Sequence, residues 1–386
     1  MYVHRDVEGL FDKLANVYNI LAIVGARQAG KTTLVKKKLE EYVGNYISLD
    51  DPDARELFNE DVKKFEKAYI ERNKITCIDE IQYGREAGIK LKYLADKGYK
   101  LWVTSSSEIL ISKEILSYLV GRVSIIRLYP FSLNEFVRAR NIKSLTNKIK
   151  RRVIWEHISY GGYPKVVLTE DVEIKRIILR DLLETMLLKD VSMAFSIDNI
   201  YALDKLTKYL AINIGKPVSY ENITSLLEVS FQTLKKYLDA LEKSYVIKRI
   251  YPFYTNKTKE LSKRPKIYFI DTGLRNMILK EFLKEPEGSV FENYVLTELL
   301  KAGFSVRYWR TKAGAEVDFV LEKNSEVIPI EVKSKITKIG RSMKSFIKTY
   351  KPGKAFLVFY RGKERKERHG ETKVYFMDLF ELLSRI

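Results

Sequence analysis

Eight consecutive residues near the amino end carry the clearest chemical signal in this sequence. They follow an apolar run at 20–24 and match the pattern G-x-x-x-x-G-K-[ST]. In that pattern the glycines let backbone N–H groups surround a β-phosphate, the lysine reaches the β- and γ-phosphates, and the hydroxyl residue binds Mg²⁺. The spacing therefore predicts a P-loop at 25–32 that binds ATP and Mg²⁺. Its predicted nucleotide-binding residues are Gly25, Ala26, Arg27, Gln28, Ala29, Gly30, Lys31, Thr32 and Thr33.

An acidic signal follows at 75–80, where an apolar segment ends in Asp79 and Glu80. This pattern is typical of a Walker B strand. Asp79 is predicted to bind Mg²⁺ together with Thr32, and Glu80 to orient and polarise the water that attacks the γ-phosphate. With Lys31, Glu80 is a predicted catalytic residue. A strand that ends in a polar turn is the alternative, and the upstream P-loop favours the catalytic interpretation.

Two further kinds of side chain are candidates for contact with the γ-phosphate. The third predicted strand, at 100–104, runs into serines, and parallel P-loop sheets often place a phosphate-sensing polar residue there. Ser105 or Ser106 fits that role, although serines at the end of a strand are also ordinary cap residues. Arg122 precedes a fourth predicted strand and fits an arginine finger, supplied in cis or by a neighbouring subunit of a homo-oligomer. An ordinary surface arginine is an equal alternative.

A second candidate chemistry lies near the carboxyl end. One predicted strand carries Asp318, and its neighbour carries Glu331 and Lys333. Side chains two residues apart share one face of a strand, and pairing can bring Asp318 beside them. Asp318 and Glu331 are candidates for a second Mg²⁺, Lys333 for activating water against a phosphodiester, and Glu292 for a contribution from a helix. Ordinary charges on half-buried strands are the alternative.

The elements around the P-loop are those that a phosphate site requires. The spacing of Leu34, Val35 and Leu39 predicts a helix that begins near Lys31, whose amino end faces the phosphates. Further along, Ser132 and Glu135 have capping-box spacing and predict the start of another helix. Residues 141–195 are predicted to be helical, interrupted by a Gly-Gly-Tyr-Pro turn at 161–164 that touches nucleotide or, more simply, joins helices.

The middle of the chain has the pattern of a winged helix, with helices at 201–210 and 220–227, a third helix capped by Ser230, and a basic hairpin at 246–270. The third helix is predicted to bury Leu234, Leu238 and Leu241 and to expose Gln232, Lys235, Lys236 and Asp239. A winged helix places this helix in the major groove of DNA while basic loop residues contact phosphates, although such domains also serve as protein-binding modules. The predicted phosphate contacts are Lys257, Lys259, Lys263 and Arg264.

The last part has the order of an α/β core of nuclease type. Helices are predicted at 290–295 and 341–350, strands at 304–310, 314–321, 327–333, 355–360 and 373–377, and a basic turn at 361–368.

Composition restricts the class of protein. The 386 residues are enough for two or three domains, and 69 Lys and Arg against 50 Asp and Glu give a formal charge of +19. This excess favours a polyanionic partner, and a lysine-rich solvated surface is the alternative. Cys77 is the only cysteine, which excludes an internal disulfide, and the three scattered histidines argue against a histidine zinc site. No apolar run reaches the length of a membrane span and no signal-peptide pattern begins the chain, so we expect a cytoplasmic protein without membrane contact.

These motifs, in this order, resemble archaeal and bacterial AAA+ P-loop ATPases that join an AAA_14 module to a C-terminal DUF4143 region. The resemblance extends over nearly the whole chain and rests on 25–32, 78–82, 119–122, 128–136, 161–164, 269–274, 291–293, 309–310, 316–319 and 330–333. It implies an AAA+ core, a winged helix and a PD-(D/E)xK nuclease-like domain. The chain departs from the family at 104–107, where Thr-Ser-Ser-Ser stands in place of the usual Thr-Gly-Ser-Ser.

The predicted architecture is α/β with four parts: a parallel-sheet ATPase core at 1–135, a helical lid at 136–198, a winged helix at 199–270 and a restriction-endonuclease-like domain at 271–386. Three functions fit it. The first is a Mg²⁺-dependent ATPase that couples hydrolysis to DNA binding or remodelling. The second is a metal-dependent DNA nuclease regulated by the ATPase, and the third is an ATP-controlled signalling or defence switch with an inactive nuclease-like domain.

Overall fold

The computed structural model describes residues 2–106, 117–254, 264–282, 285–286, 288–324, 326–335 and 338–386. The first sheet has five parallel strands in the order β2-β3-β4-β1-β5. These strands are β1 (Ile20–Gly25), β2 (Asn45–Ser48), β3 (Ile75–Asp79), β4 (Lys100–Ser105) and β5 (Val123–Leu128). The predicted strands at 20–24, 75–79, 100–104 and 125–128 are confirmed. β1 and β3 are buried along their whole length, as expected for parallel strands covered on both faces.

Helices surround this sheet and connect its parallel strands. They are α1 (Glu8–Val17), α2 (Lys31–Tyr42), α3 (Pro52–Glu60), α4 (Val62–Phe65) with a π-helical continuation at Glu66–Ile70, a 3-10 turn at Ile81–Tyr83, and α5 (Ala87–Asp96). Because the strands are parallel, the residues that follow β1, β3 and β4 meet at one edge of the sheet. We call the group of 25–32, Asp79, Glu80 and Ser106 at this edge the P-loop edge.

A helical region covers the P-loop edge. It contains α6 (Leu133–Ala139), α7 (Asn147–Tyr160), α8 (Pro164–Leu168) and α9 (Val172–Thr185), which continues as a π-helix at Met186–Met193. The predicted capping box is confirmed, because the Ser132 hydroxyl accepts the Glu135 N–H at 3.1 Å and the Glu135 carboxylate accepts the Ser132 N–H at 2.9 Å. Helices fill most of the predicted stretch 141–195 from Asn147 onward, with the predicted turn at 161–164, whereas residues 141–146 are not helical.

Three helices and a two-stranded antiparallel sheet follow. They are α10 (Ile200–Ile212), α11 (Tyr220–Leu227), α12 (Phe231–Lys243), β6 (Ile247–Ile250) and β7 (Lys266–Phe269). In α12, Leu234, Leu238 and Leu241 are buried. Gln232, Lys235 and Lys236 are exposed. The three helices and the strand pair are present, but β6 ends at Ile250, and Asp239, predicted to be exposed, is half-buried because it pairs with Arg249 at 2.6 Å. Lys257, Lys259 and Lys263 of the connecting loop, like Ser107, lie outside the described residues.

The carboxyl-terminal part contains a mixed six-stranded sheet in the order β12-β13-β11-β10-β9-β8. Its strands are β8 (Val306–Arg310), β9 (Glu316–Lys323), β10 (Glu326–Lys335), β11 (Lys354–Arg361), β12 (Arg365–His369) and β13 (Thr372–Met377). Its helices are α13 (Thr272–Leu279), α14 (Gly288–Lys301), α15 (Arg341–Tyr350) and α16 (Leu379–Arg385).

One prediction in this region is wrong. The basic segment 361–368 is not only a turn, because Arg365–His369 forms the edge strand β12, paired antiparallel with β13. An edge strand has solvent on one side and tolerates charged residues that a central strand does not. The guanidinium of Arg365 also lies over the ring of Phe376, 3.5 Å from its centroid. This cation–π contact packs a charged side chain against the sheet, so the strand lacks the alternating apolar residues by which strands are predicted from sequence.

The junction between the middle and carboxyl-terminal parts is tightly packed. Helix α13 contacts α7, α9 and α10, which all precede it in the chain. The side chain of Asn293 bonds both the N–H and the carbonyl of Phe269, at 2.8 and 2.7 Å. The predicted boundary at 270/271 thus passes through a continuous packed region. No helix among the described residues combines the length and the apolar composition that crossing a bilayer requires.

Candidate functional site

Two positions of the P-loop require glycine. A Cβ on Gly25 would lie 2.0 Å from the carbonyl oxygen of Leu128, so any side chain there would separate β1 from β5. Gly30 has a φ of 97°, in the left-handed region that L side chains rarely adopt. The Lys31 ammonium donates to the carbonyls of Gly25 and Ala26, both at 3.0 Å, and Lys31 is only 5% exposed. Burial lowers the pKa of Lys31, while Glu80 and Asp79 raise it.

Three hydroxyl groups surround the carboxylate of Asp79. The Thr32 hydroxyl donates to Oδ2 at 2.9 Å, the Tyr46 phenol donates to the same oxygen, and Thr104 donates to Oδ1. A threonine hydroxyl beside a carboxylate is a pair of hard oxygen donors, so Thr32 and Asp79 fit a Mg²⁺ ion. Tyr46 and Thr104 were not predicted as partners of Asp79, because they lie on β2 and β4 and reach it only through the strand order of the sheet.

Glu80 lies at the same edge and is held by side-chain contacts. Its N–H donates to Thr104 Oγ1 at 3.1 Å, and its carboxylate accepts from the amide of Gln82. The same amide nitrogen donates to Ser106 Oγ at 3.2 Å, so Ser106 is linked to Glu80 through Gln82. Burial raises the pKa of Glu80, whereas Lys31 and Gln82 lower it. A carboxylate with a raised pKa is a better general base than an exposed one.

The structure corrects the prediction of Arg122 as a cis arginine finger. The Ile20 N–H donates to the Arg122 carbonyl at 3.0 Å, which places Arg122 at the amino ends of β1 and β5. The P-loop follows the other end of β1, about 16 Å away at the usual rise of a strand. Arg122 pairs instead with Asp96 at 2.7 Å. The strands are parallel, so a residue just before β5 lies opposite the P-loop edge and not beside it.

Segments from outside the predicted motifs also contact the P-loop. Arg5 is buried, donates to the Ala29 carbonyl at 2.8 Å, and pairs with Glu135 at 3.0 Å. Pro164, in the turn at 161–164, has its Cγ 3.9 Å from the position of a Cβ on Gly30. The turn therefore joins helices and also borders the P-loop. No role for Arg5 was predicted from the sequence, because the residue belongs to no motif and its only signal was a positive charge near the amino end.

The second candidate site brings three predicted residues together. Asp318 Oδ2 accepts the Val332 N–H at 2.7 Å and the Lys333 ammonium at 3.2 Å, and Lys333 lies 4.0 Å from Glu331. Glu331 Oε2 is buried and has no hydrogen-bond partner within the described part of the chain. Burial raises the pKa of Glu331. An unpartnered carboxylate oxygen fits a cation, and we call Asp318, Glu331 and Lys333 the Asp318 group.

Glu292 lies within electrostatic reach of Asp318 and Lys333, but its direct contacts are with other residues. Its carboxylate accepts the phenol of Tyr268 and pairs with the ammonium of Lys266, which also pairs with Glu316. Lys266 is 1% exposed, and although burial by itself lowers its pKa, Glu292 and Glu316 raise it. Across the described ranges no three Asp, Glu, His or Cys side chains are placed to hold one metal ion. We call Lys266, Tyr268, Glu292 and Glu316 the Lys266 cluster.

Comparison with known proteins agrees with the geometry of the P-loop edge. Residues 17–137 match the AAA domain family, and this segment contains the P-loop and the acidic end of β3. Residues 17–137 therefore form an AAA-type P-loop ATPase domain. The rest of the ATPase matches two domains of unknown function, DUF8612 at 151–285 and DUF4143 at 287–380.

Relatives of the ATPase extend over most of its length. An uncharacterized protein of Methanocaldococcus jannaschii is 28% identical over 369 residues, which cover 90% of this chain and 82% of the relative. An uncharacterized protein of Haemophilus influenzae is 26% identical over 285 residues, which cover 72% of this chain and 69% of the relative. Among solved structures, a Walker-type ATPase of Pyrococcus abyssi is 16% identical with a TM-score of 0.46, covering 72% of this chain and 96% of that one.

Proposed function

We propose that the ATPase hydrolyses ATP with Mg²⁺ at the P-loop edge and uses this reaction to change how residues 199–270 bind DNA. The observation that carries the hydrolytic part is the 2.9 Å contact between Thr32 and Asp79, with Lys31 and Glu80 at the same edge. This is the arrangement that phosphoryl transfer requires, because a cation ligand, a phosphate-binding lysine and a water-orienting carboxylate converge.

Each of these side chains has a role in the reaction. Lys31 neutralises oxygens of the β- and γ-phosphates. Thr32 and Asp79 hold Mg²⁺, which supplies further positive charge against the phosphates. Glu80 orients a water and accepts its proton as the new bond to the γ-phosphorus forms and the bond to the bridging oxygen of ADP breaks. Gln82 acts as a positioning residue, because its amide fixes the Glu80 carboxylate.

DNA is proposed as the partner because of charge and helix exposure. The chain carries a formal charge of +19, and α12 presents Gln232 and Lys235 to solvent on the face opposite its buried leucines. Arg264 is also exposed, although it pairs with Glu221 at 2.8 Å. A helix face with exposed amide and ammonium groups of this kind supports groove binding with phosphate contacts from its surroundings.

The hydrolytic part is tested by ATP turnover of purified variants. Lys31→Ala removes the phosphate-binding ammonium and Glu80→Gln removes the base, so turnover should fall at least about tenfold in each. Glu80→Gln should still bind ATP, whereas Lys31→Ala should not. Unchanged turnover in both variants would contradict the assignment of the site.

The DNA part is tested in the same assay with single-stranded, duplex and branched DNA added, scoring cleavage together with turnover. Lys235→Glu should weaken DNA binding at low salt by about fivefold or more, since it reverses a charge at the proposed interface. Lys63→Glu changes an equally exposed helical lysine outside that segment and should leave the affinity within about twofold. No DNA binding by the unaltered chain at low salt would favour the ATP-controlled switch.

A metal-dependent nuclease is the second candidate function. The unpartnered Glu331 oxygen beside Asp318 and Lys333 favours it, and Mg²⁺ there would polarise a phosphodiester. Mg²⁺-dependent cleavage that is lost in Asp318→Ala but retained in Lys31→Ala would support this function. Cleavage that survives Asp318→Ala would assign it to another site or to a contaminant.

A further inference from the structure

The side chain of Arg27, inside the P-loop, is bound to a carboxylate more than 160 residues away in the chain. Its Nε and Nη2 donate to both oxygens of Asp190 at 2.8 to 3.1 Å, which is a bidentate contact. Asp190 is 6% exposed and Arg27 26% exposed. The hydrogen bond to Asp190 raises the pKa of Arg27 above its already high value, so the guanidinium is permanently charged. The P-loop binds phosphate through its backbone N–H groups, and this role does not explain why the Arg27 side chain is held by Asp190.

The charges around Arg27 are those of the hydrolytic site. Glu80 acts on Arg27 electrostatically, and both Arg27 and Asp190 act on Lys31. Arg27 is itself a residue of the P-loop, and its guanidinium is within electrostatic reach of Lys31 and Glu80. ATP has a γ-phosphate and ADP lacks it, so ATP brings an additional anion to the loop that carries Arg27. Guanidinium groups bind phosphate and carboxylate with the same bidentate geometry.

We propose that Arg27 is the γ-phosphate-reading side chain of this ATPase, and that Asp190 competes with the γ-phosphate for its guanidinium. The inference rests on nucleotide binding at the P-loop and adds which side chain distinguishes ATP from ADP. It also gives the site an arginine at the phosphate edge, a position that Arg122 does not occupy.

Release of Asp190 has a structural consequence beyond the P-loop. Asp190 lies in the π-helix Met186–Met193, and its carbonyl accepts the Ser244 hydroxyl at 2.6 Å. Ser244 directly follows α12, the helix proposed to contact DNA. In this proposal Arg27 binds Asp190 when ADP is present and the γ-phosphate when ATP is present. The change would be transmitted to the proposed DNA-binding segment through Asp190 and Ser244.

Nucleotide affinities of full-length variants test the proposal. Binding of ADP and of an ATP analogue with a β,γ-imido bridge is measured by calorimetry in the presence of Mg²⁺. Arg27→Ala should weaken the analogue about tenfold and leave ADP within about twofold, because only the γ-phosphate contact is lost. Asp190→Asn should strengthen the analogue about threefold or more, with ADP again unchanged, because the competing charge is gone. The double variant should lie close to Arg27→Ala, because the direct contacts of the Asp190 carboxylate are with Arg27.

Arg180→Ala and Asp181→Asn are matched controls, because this exposed Arg–Asp pair lies on the same helical region, away from the P-loop. Both should leave the two affinities within about twofold. Equal effects of Arg27→Ala on ADP and on the analogue, or no gain in Asp190→Asn, would overturn the proposal and make the pair a structural contact. Lys31→Ala with unaltered affinity for both nucleotides would instead overturn the P-loop site itself.

Discussion

Two groups of carboxylates, at the P-loop edge and in the Lys266 cluster, differ in the partners that hold them. At the P-loop edge, Asp79 and Glu80 accept hydrogen bonds from neutral hydroxyl and amide groups. In the Lys266 cluster, Glu292 and Glu316 are paired with a buried ammonium supplied by strand β7. Neutral donors fix a carboxylate in place but leave its charge available for a cation or a proton, whereas an ammonium neutralises it.

The carboxylates of the P-loop edge are therefore available to bind ligands, whereas those of the Lys266 cluster stabilise the junction between two segments of the chain. Lys266 belongs to the hairpin of the middle segment, and its partners belong to α14 and β9 of the next segment. The Asp318 group lies between these extremes, because Lys333 neutralises Asp318 while one oxygen of Glu331 has no partner among the described residues. Substitutions that remove one partner of a carboxylate at a time can test the contrast between the P-loop edge and the Lys266 cluster.

The largest effect is expected from Lys266→Met, which leaves Glu292 without its ion-pair partner and Glu316 with only the more exposed Arg310, 3.6 Å away. Breaking a buried ion pair by removing one partner costs about 3 kcal/mol of the free energy of unfolding. Burial raises the pKa of Glu292, so Glu292 becomes protonated as the pH falls, and the destabilisation should shrink toward acid pH. Urea denaturation at several pH values measures this.

Lys354→Met is the matched control for that variant, since Lys354 makes a more exposed ion pair with Glu326. It should cost less than about 1 kcal/mol. Equal losses in the two variants would mean that the Lys266 cluster contributes no more than a surface pair.

The next effect is expected from Thr104→Val, which keeps the shape of the side chain and removes the hydroxyl shared by Asp79 and the Glu80 N–H. Turnover of ATP should fall about tenfold, because both carboxylates lose a positioning contact. Thr76→Val is the control, as Thr76 is also buried but bonds only the Tyr69 carbonyl, at 3.4 Å. If the control loses as much turnover as Thr104→Val, general packing and not the hydroxyl is responsible.

A smaller effect, about fivefold in turnover, is expected from Gln82→Ala. The Gln82 amide lowers the pKa of Glu80, so its removal should raise that pKa further. Glu80 must be ionised to act as a base, and activity is lost as pH falls through its pKa. The acid limb of the pH–turnover profile should therefore move to higher pH, with ATP affinity within about twofold. A profile that moves to lower pH, or does not move, would contradict the role of Gln82.

The smallest effect is expected from Arg122→Ala, because the side chain pairs with Asp96 at the opposite edge of the sheet. Turnover should stay within about twofold of the unaltered protein over a range of protein concentrations. A large loss that grows with protein concentration would indicate that Arg122 reaches the P-loop edge of a neighbouring subunit.

Local sequence was sufficient for much of the fold and for the core of the site. The P-loop, the strand that ends in Asp79 and Glu80, and the Ser132 capping box each depend on residues within a few positions of one another. Strand and helix periodicity placed the elements of the middle segment and most of the last sheet. Two short or charged strands, β2 and β12, have no apolar alternation and were not predicted.

The sequence by itself determined which groups carry the phosphate chemistry, since a contiguous motif fixes its own geometry once a strand and a helix flank it. Tertiary structure alone decided which distant groups face them. Tyr46 and Thr104 reach Asp79 through the strand order, and Arg27 reaches Asp190 through the packing of the helical region. Parallel strand direction likewise moved Arg122 away from the phosphates. Such placements depend on strand order and direction, which no local spacing encodes.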